Sequence, residues 1–445
     1  GRYRGAGMNE RPSPRVLRRV DLRGVAHDQI APLLPRPEVA GEGPVAAVRE
    51  ILADVRERGD DALLDLTERF DGVRPDVVRV PADELDAALG RIEPGVRAAL
   101  EVASDRIRAF HETQVRTDHE LRRDGILVEA LVRPVDRAGI YVPGGRAAYP
   151  STVLMAAIPA RVAGVPEVVL AVPPSRDSGQ VADVTLAAAA IAGVDEVYGI
   201  GGAQAIGALA YGTESIRPVD VIAGPGNVYV AIAKREVADH VGIAAAFAGP
   251  SEVVVVADDT TPPDLAAIDV ILQAEHGPDG LSWLITWSDA AADAIDAEIA
   301  RLVGEAPRRA EIEATLGDGG HLALVDGPEQ AVAVANLIAP EHLELLCDAP
   351  RSLLPLVRHA GAVFCGHLSP ASIGDYVAGP SHVLPTDGTA RFASALTVSD
   401  FTKDVHVITV DPEGLSAVGE HVVSLASAEG LDAHAESIRM RQRLR

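Results

Sequence analysis

From Ala138 onward, short Val- and Ile-rich runs alternate with Ala-rich stretches of helical length, and few folds accommodate that order. The runs are Ala138–Val142, Val168–Val172, Glu196–Ile200 and Val219–Ile222. Leu154–Ala163, Val181–Ala192, Ala203–Ala210 and Tyr229–Asp239 lie between and after them. The alternation resumes at Glu252–Ala257, passes through an apolar helix ending near His276, and reaches Ser282–Thr286. Strands that are apolar throughout are buried on both faces, and the helices between them supply the cover. An α/β protein with parallel-rich sheets is therefore predicted. Ahead of this region, Glu38–Phe70 and Ala82–Glu120 carry apolar residues at helical spacing, with acid and base on the other faces.

The 445 residues suffice for roughly two to four units. With 40 Lys and Arg against 65 Asp and Glu, the net charge of −25 repels phosphate backbones and anionic membrane surfaces, so no nucleic-acid partner is expected. No apolar run reaches the roughly 18–20 residues of a spanning helix, so no membrane role is expected either. Gly1–Arg19 is basic but lacks the apolar stretch of a secretory signal. Met8 is a candidate natural start. Two cysteines, Cys347 and Cys365, cannot build a disulfide framework, which fits a cytoplasmic protein.

Three glycine loops each follow a strand and precede a helix: Tyr141-Val-Pro-Gly-Gly145, Gly201-Gly-Ala-Gln204 and Gly224-Pro-Gly-Asn227. Such junctions direct free backbone N–H groups and the positive helix end toward a bound phosphate. None is a G-x-G-x-x-G, and each alone reads equally as a tight α/β turn. Three in one unit point to a ligand crevice at the strand ends.

Polar residues gather in the second half. In Val270-Ile-Leu-Gln-Ala-Glu-His276, Gln273 and His276 fall three apart at the end of an apolar helix, before the Gly277-Pro278 stop. In Ala339-Pro-Glu-His-Leu-Glu344, Pro340 suits the first position of a new helix, which would splay Glu341 and His342 about 100° apart. A histidine near neutral pKa serves as a general base, and a glutamate of raised pKa activates water. Asp375 lies on a Gly-rich segment, and Glu429 and His434 lie five apart before the last helix. Gln273, His276, Asp375 and His434 together offer two imidazoles and two oxygens, a set suited to zinc, although their spacing is no motif.

Eight ordered blocks resemble the histidinol dehydrogenase family: Tyr141-Val-Pro-Gly-Gly, Gly202-Ala-Gln-Ala-Ile, Ala223-Gly-Pro-Gly-Asn, Gly249-Pro-Ser-Glu, Gln273-Ala-Glu-His-Gly, Pro340-Glu-His-Leu-Glu, Gly374-Asp-Tyr and Ala433-His. The resemblance runs from about Val20 to the C-terminus. It implies oxidation of L-histidinol to L-histidine through the aldehyde, with two NAD+ and one water, in the last steps of histidine biosynthesis. It implies one zinc ion per subunit on Gln273, His276, Asp375 and His434. It makes His342 the base for the alcohol proton and Glu341 the base that activates water. Ser251, Gln273, His276, His342, Asp375, Glu429 and His434 match substrate contacts, and Tyr141, Gln204 and Asn227 match dinucleotide contacts. It also implies a homodimer whose active sites take Glu429 and His434 from the second chain.

Laid over the residue pattern, the resemblance implies two Rossmann-like α/β domains with small N- and C-terminal helical extensions. Residues 1–15 are expected to be a disordered or added tail, and 16–36 an N-terminal extension. Residues 37–140 with 253–396 form one α/β domain carrying most zinc and catalytic residues; 141–252 form the second, with the dinucleotide contacts; 397–445 form a dimerisation tail. Three other chemistries fit parts of the pattern: a cysteine aldehyde dehydrogenase using Cys347 or Cys365, a zinc hydrolase with Glu341 as base, and a non-catalytic metal scaffold.

Overall fold

The computed structural model describes residues 16–35, 43–144, 147–244, 249, 251–276 and 280–444. In chain order its strands begin β1 (Arg18–Asp21), β2 (His119–Arg123), β3 (Ile126–Pro134), β4 (Arg137–Tyr141), β5 (Glu167–Ala171), β6 (Glu196–Tyr198) and β7 (Val221–Ala223). They continue β8 (Gly242–Ile243), β9 (Glu252–Ala257), β10 (Leu281–Thr286), β11 (Gly320–Leu324), β12 (His342–Leu345), β13 (Ala362–Cys365) and β14 (Thr402–Val410).

Two parallel sheets carry the architecture. One has five strands in the order β6-β5-β4-β7-β8, the other six in the order β1-β11-β10-β9-β12-β13. The apolar runs are their strands, and the alternation explains why. In β9, Val253, Val255 and Ala257 enter one core and Val254 and Val256 the core on the opposite face. The mixed α/β fold with parallel-rich sheets is thus the expected one.

Both sheets reverse direction once. In the five-stranded sheet the chain steps outward from β4 to β6, then crosses to place β7 on the other side of β4. In the six-stranded sheet it steps from β9 to β11, then crosses to place β12 on the other side of β9. Such switch points open crevices between diverging connections. They fall between Tyr141 and Ala223 in one sheet and between β9 and β12 in the other.

The packing differs from the expected division at the N-terminal half. The helical stretches break into Gly43–Arg58, Asp60–Asp71, Ala82–Arg91 and Pro94–Glu112, and all cover the five-stranded sheet. Gly43–Arg58 packs on the Gly202–Tyr211 and Val228–Glu236 helices, Ala82–Arg91 on Asp183–Ala192, and Pro94–Glu112 on Pro150–Val162. Residues 43–112 therefore sit chiefly with the 141–252 region, and of 253–396 the Pro94–Glu112 helix meets the 377–396 segment, through Arg106 Nε donating to the Val377 carbonyl and a core shared with Val383 and Leu396. Their apolar faces (Val48, Leu52, Leu63, Leu100, Ile107) are complementary to that sheet's helices. Glu120 is also not helical: β2 pairs antiparallel with β3, and β3 with β14. The N-terminal extension is partly strand, since β1 forms the edge of the six-stranded sheet beside β11. Expectations for residues 1–15 fall outside the described residues. At the C-terminus, helices Pro412–Ala428 and Asp432–Gln442 pack on each other around Val423, Ala426 and Ala435.

Candidate active site

The site begins with a helix that is made to stop. Ala339 caps the Pro328–Ile338 helix at φ 52°, in the left-handed region, and Pro340 follows. The chain then enters β12 directly, so Glu341 and His342 are not the first turn of a helix as their sequence suggests. Pairing with β9 and β13 on both sides, and burial of Leu343 and Leu345, override the local helical preference.

Because β12 lies beside β9, Glu341 and Glu252 meet at the amino ends of these strands. Glu252 N–H donates to Glu341 Oε2 at 3.1 Å, and Glu341 N–H donates to Glu252 Oε2 at 3.3 Å. His342 is buried, with Nδ1 3.1 Å from the Glu252 carbonyl oxygen and 3.6 Å from Glu341 Oε2. A proton on Nδ1 satisfies that carbonyl, so Nε2 is the nitrogen that gains or loses the ring's second proton. Nε2 is buried and pairs with Asp375 Oδ1 at 3.4 Å. The imidazole also stacks on Phe364 at 6.0 Å between centroids. Phe364 in turn presses on Gly374, where a Cβ would come within 2.7 Å of the ring.

Electrostatics separate the two groups. Burial raises the Glu341 carboxyl to about 7, despite the opposing pull of His342 and the Glu252 N–H. Burial lowers His342, but Asp375, Glu341 and the Glu252 carbonyl outweigh it and carry the ring to about 9. Burial and the Glu341 charge push Glu252 to about 8.

Gln273 and Asp375 flank His342. A 3-10 turn, Gln273–His276, closes the Pro263–Leu272 helix and puts the buried Gln273 amide 3.5 Å from His342 Nδ1. Asp375 stands on the Ala371–Tyr376 helix; its carbonyl meets His382 Nδ1 at 2.8 Å, and His382 Nε2 meets Thr152 Oγ1 at 3.0 Å. This chain of contacts ties the catalytic edge to the Pro150–Val162 helix of the other sheet.

The carboxyl ends of β4 and β7 form the second half. Tyr141 Oη accepts from Gly202 N–H at 3.1 Å, and burial raises the phenol to about 12. Gly224, at φ 113°, lies so close that a Cβ would stand 2.0 Å from the Tyr141 carbonyl oxygen. Gln204 is 1% exposed, and its Oε1 has no hydrogen-bond partner among the described residues. A buried orphan acceptor at a switch point fits a ligand donor such as a ribose hydroxyl. Asn227 caps the Val228–Glu236 helix through its side chain.

The family model described as histidinol dehydrogenase matches residues 34–442. The chain belongs to the histidinol dehydrogenase family. A histidinol dehydrogenase of Parasynechococcus marenigrum (strain WH8102) is 48% identical over 429 residues, covering 96% of this chain and 97% of its own. One of Thermobifida fusca (strain YX) is 48% identical over 430 residues, with 96% and 98% covered. The crystal structure of histidinol dehydrogenase from Elizabethkingia anophelis superposes with a TM-score of 0.91 at 33% identity, covering 96% and 98%. As a histidinol dehydrogenase family member, the chain is an NAD-dependent oxidoreductase of histidine biosynthesis.

Of the residues expected from the sequence, Glu341, His342, Gln273 and Asp375 come together, and Ser251 directly precedes Glu252 at the edge of β9. The side chain of His276 and residues Gly145, Pro250 and Gly277–Asp279 lie outside the described ones. Glu429, at the C-terminal cap of the Pro412–Ala428 helix, and His434, in the first turn of the last helix, are both exposed. Among the described residues no three His, Cys, Asp or Glu side chains of the one chain gather as a metal cage. The amide of Gln273 and carboxylate of Asp375 nevertheless suit a divalent ion needing further nitrogen donors.

Cys347 is buried, and burial pushes its thiol to about 11, unlike an activated nucleophile. Sequence reading gave no role to Glu252, His382 and Glu344, although they stand in its motif stretches, and passed over Asp269. Their signal was available: Glu252 opens an otherwise apolar strand, Glu344 interrupts one, and Asp269 interrupts an apolar helix.

Proposed function

We propose that this histidinol dehydrogenase family member oxidises L-histidinol to L-histidine in four electrons, through bound histidinaldehyde, with two NAD+ and one water. The observation that carries the reading is His342: Nδ1 on the Glu252 carbonyl, Nε2 facing Asp375 Oδ1 at 3.4 Å, and Glu341 alongside.

His342 Nε2, once it has given up the proton that Asp375 and Glu341 favour on the ring, takes the hydroxyl proton as hydride leaves the carbinol carbon for the nicotinamide. The aldehyde stays in place while NADH exchanges for NAD+. Ionised Glu341 then takes a proton from the attacking water, and the hydrate loses a second hydride. A carboxyl lifted to about 7 by burial is half-ionised near neutrality, which suits that task.

Gln273 and Asp375, with His276 and the second chain's copy of His434, are the residues we assign to zinc. Bound there, zinc supplies a template that orients the substrate's amine and imidazole. The exposed positions of Glu429 and His434 support their donation to a second copy in a homodimer. Exposed apolar residues on the tail and its sheet, Ile408 at 66% and Leu425 at 67%, support the same assembly. Ser251, Gln273, His276, His342, Asp375, Glu429 and His434 are assigned to the substrate, and Tyr141, Gln204 and Asn227 to the dinucleotide.

The test is NADH yield and zinc content on one purified sample. The proposal expects two NADH per histidinol and about one zinc per subunit. One NADH per histidinol with free aldehyde as product would refute the four-electron reading, and zinc-free protein of full activity the metal assignment.

A further inference from the structure

Lys234 is a buried charge that the reaction does not use. It stands on the Val228–Glu236 helix, 2% exposed, in line with Val230 and Val237 on the face that enters the core of the five-stranded sheet. Among the described residues no carboxylate pairs with it, and Glu236 on the same helix is taken by Arg49. Burial lowers the amine to about 8, so it is still an ammonium at neutral pH. A charge held this way costs more than a methionine filling the same space, so its presence calls for a reason.

The reason lies in the one contact it makes: Nζ donates to the Gly224 carbonyl oxygen. Gly224 follows β7 at φ 113°, and a Cβ there would stand 2.0 Å from the Tyr141 carbonyl oxygen. The bend carries the Gly224 carbonyl past the end of the β7 ladder, and no backbone N–H among the described residues bonds it. A buried carbonyl needs a donor. A helical side chain leans toward its own N-terminus, which brings the Lys234 ammonium beneath the turn to provide one. At the far end of the turn Asn227, Val228 and Tyr229 are exposed, while Gly224 and Lys234 are buried. The turn is thus wedged between Tyr141 and Lys234 with its outer edge open.

We propose that Lys234 is a positioning residue for the dinucleotide: by holding the Gly224 carbonyl it fixes the Gly224-Pro-Gly-Asn227 turn, and with it the contacts assigned to Tyr141 and Asn227. The inference rests on the assignment of Tyr141, Gln204 and Asn227 to the dinucleotide. A hydrogen bond from a charged donor is worth roughly tenfold or more in an equilibrium.

The test is NADH affinity, read by fluorescence titration of the purified protein, beside steady-state kinetics and a thermal melt. Lys234→Met keeps the reach and bulk of the side chain and removes the donor and the charge. The proposal expects NADH bound roughly tenfold more weakly and KM for NAD+ raised to match, with kcat and KM for histidinol within about threefold. Lys234→Gln is a second variant, polar but one bond shorter than lysine, and should weaken NADH binding by about threefold or more. NADH held within about twofold of the unmodified protein by either variant, once the melt shows it folded, overturns the proposal. So does a loss spread equally over kcat and both KM values, which a merely loosened core would give. Unchanged NADH affinity in a Tyr141→Phe/Gln204→Leu variant would instead overturn the dinucleotide assignment on which the inference rests.

Discussion

Glu252 and Glu341 exchange backbone-to-carboxylate hydrogen bonds where β9 and β12 begin, at 3.1 and 3.3 Å, so each glutamate's carboxylate is held by the other's amide. The arrangement buries two like-charged groups side by side. Both carboxyls bind protons more tightly folded than unfolded, with values near 8 and 7 against 4.5 for the free group. Between those limits the native state holds more protons, so stability falls as pH rises. Glu252→Gln removes one of the two charges. The variant should lose less stability than the unmodified protein between pH 5 and 8.5, with a gain of about 1–2 kcal/mol at the upper end. Urea unfolding at both pH values measures this, and an unchanged pH slope would count against it.

Glu341 also sets a kinetic limb. As a base it works ionised, so oxidation of histidinaldehyde should fall on the acid side with an apparent pKa near 7. Glu341→Gln should remove that limb and lower the aldehyde step by about 10²–10⁴-fold, while sparing histidinol oxidation to the aldehyde far more. Stopped-flow NADH traces with each substrate separate the two. Equal loss in both half-reactions would refute the division of labour between Glu341 and His342.

Gly374 should tolerate no side chain. A methyl there would meet the Phe364 ring at 2.7 Å, and Phe364 stacks on His342. Gly374→Ala should therefore shift Phe364 or Asp375 at a cost of about 1–3 kcal/mol and lower kcat by about tenfold or more. Phe364→Leu in the same background relieves the overlap and should recover part of the loss. Wild-type kinetics in the single variant would show that the ring moves freely.

These relationships are unevenly legible in the sequence. The apolar runs Val168–Val172 and Val253–Ala257 announce strands buried on both faces, and both appear as such. Which sheet receives the helices of residues 43–112 is not legible, because an amphipathic face carries no label for its partner. Pro340-Glu-His-Leu-Glu reads as a helix start because local preference favours one. Pairing with β9 decides otherwise, and only that pairing brings Glu252 to Glu341. The carboxyls at Glu252, Glu344 and Asp269 are visible as charges inside apolar runs, a signal that needs no alignment.

The cysteines should be dispensable. Burial holds the Cys347 thiol near 11 and also raises Cys365, so neither is an appreciable thiolate at neutral pH. Cys347→Ala and Cys365→Ala, singly and together, should keep turnover within about twofold and still yield two NADH per histidinol. Loss of the second NADH in either variant would restore a thiohemiacetal route.

The exposed His434 leads to a test of site sharing by complementation. Gln273 sits in the core of the catalytic edge, whereas His434 stands exposed on the last helix. If each site combines the first from one chain with the second from its mate, Gln273→Ala and His434→Ala homodimers are both inactive. A hybrid dimer then places both lesions in one site and leaves the other intact. Differently tagged chains, co-expressed and purified through both tags, give that hybrid alone, and it should show about half the activity of the unmodified dimer. If each site is built from one chain, every site in the hybrid carries a lesion and activity stays at the background of the parents. A double variant carrying both substitutions, paired with an unmodified chain, separates the cases again. Sharing then leaves each site with one lesion and no activity, whereas self-contained sites retain half.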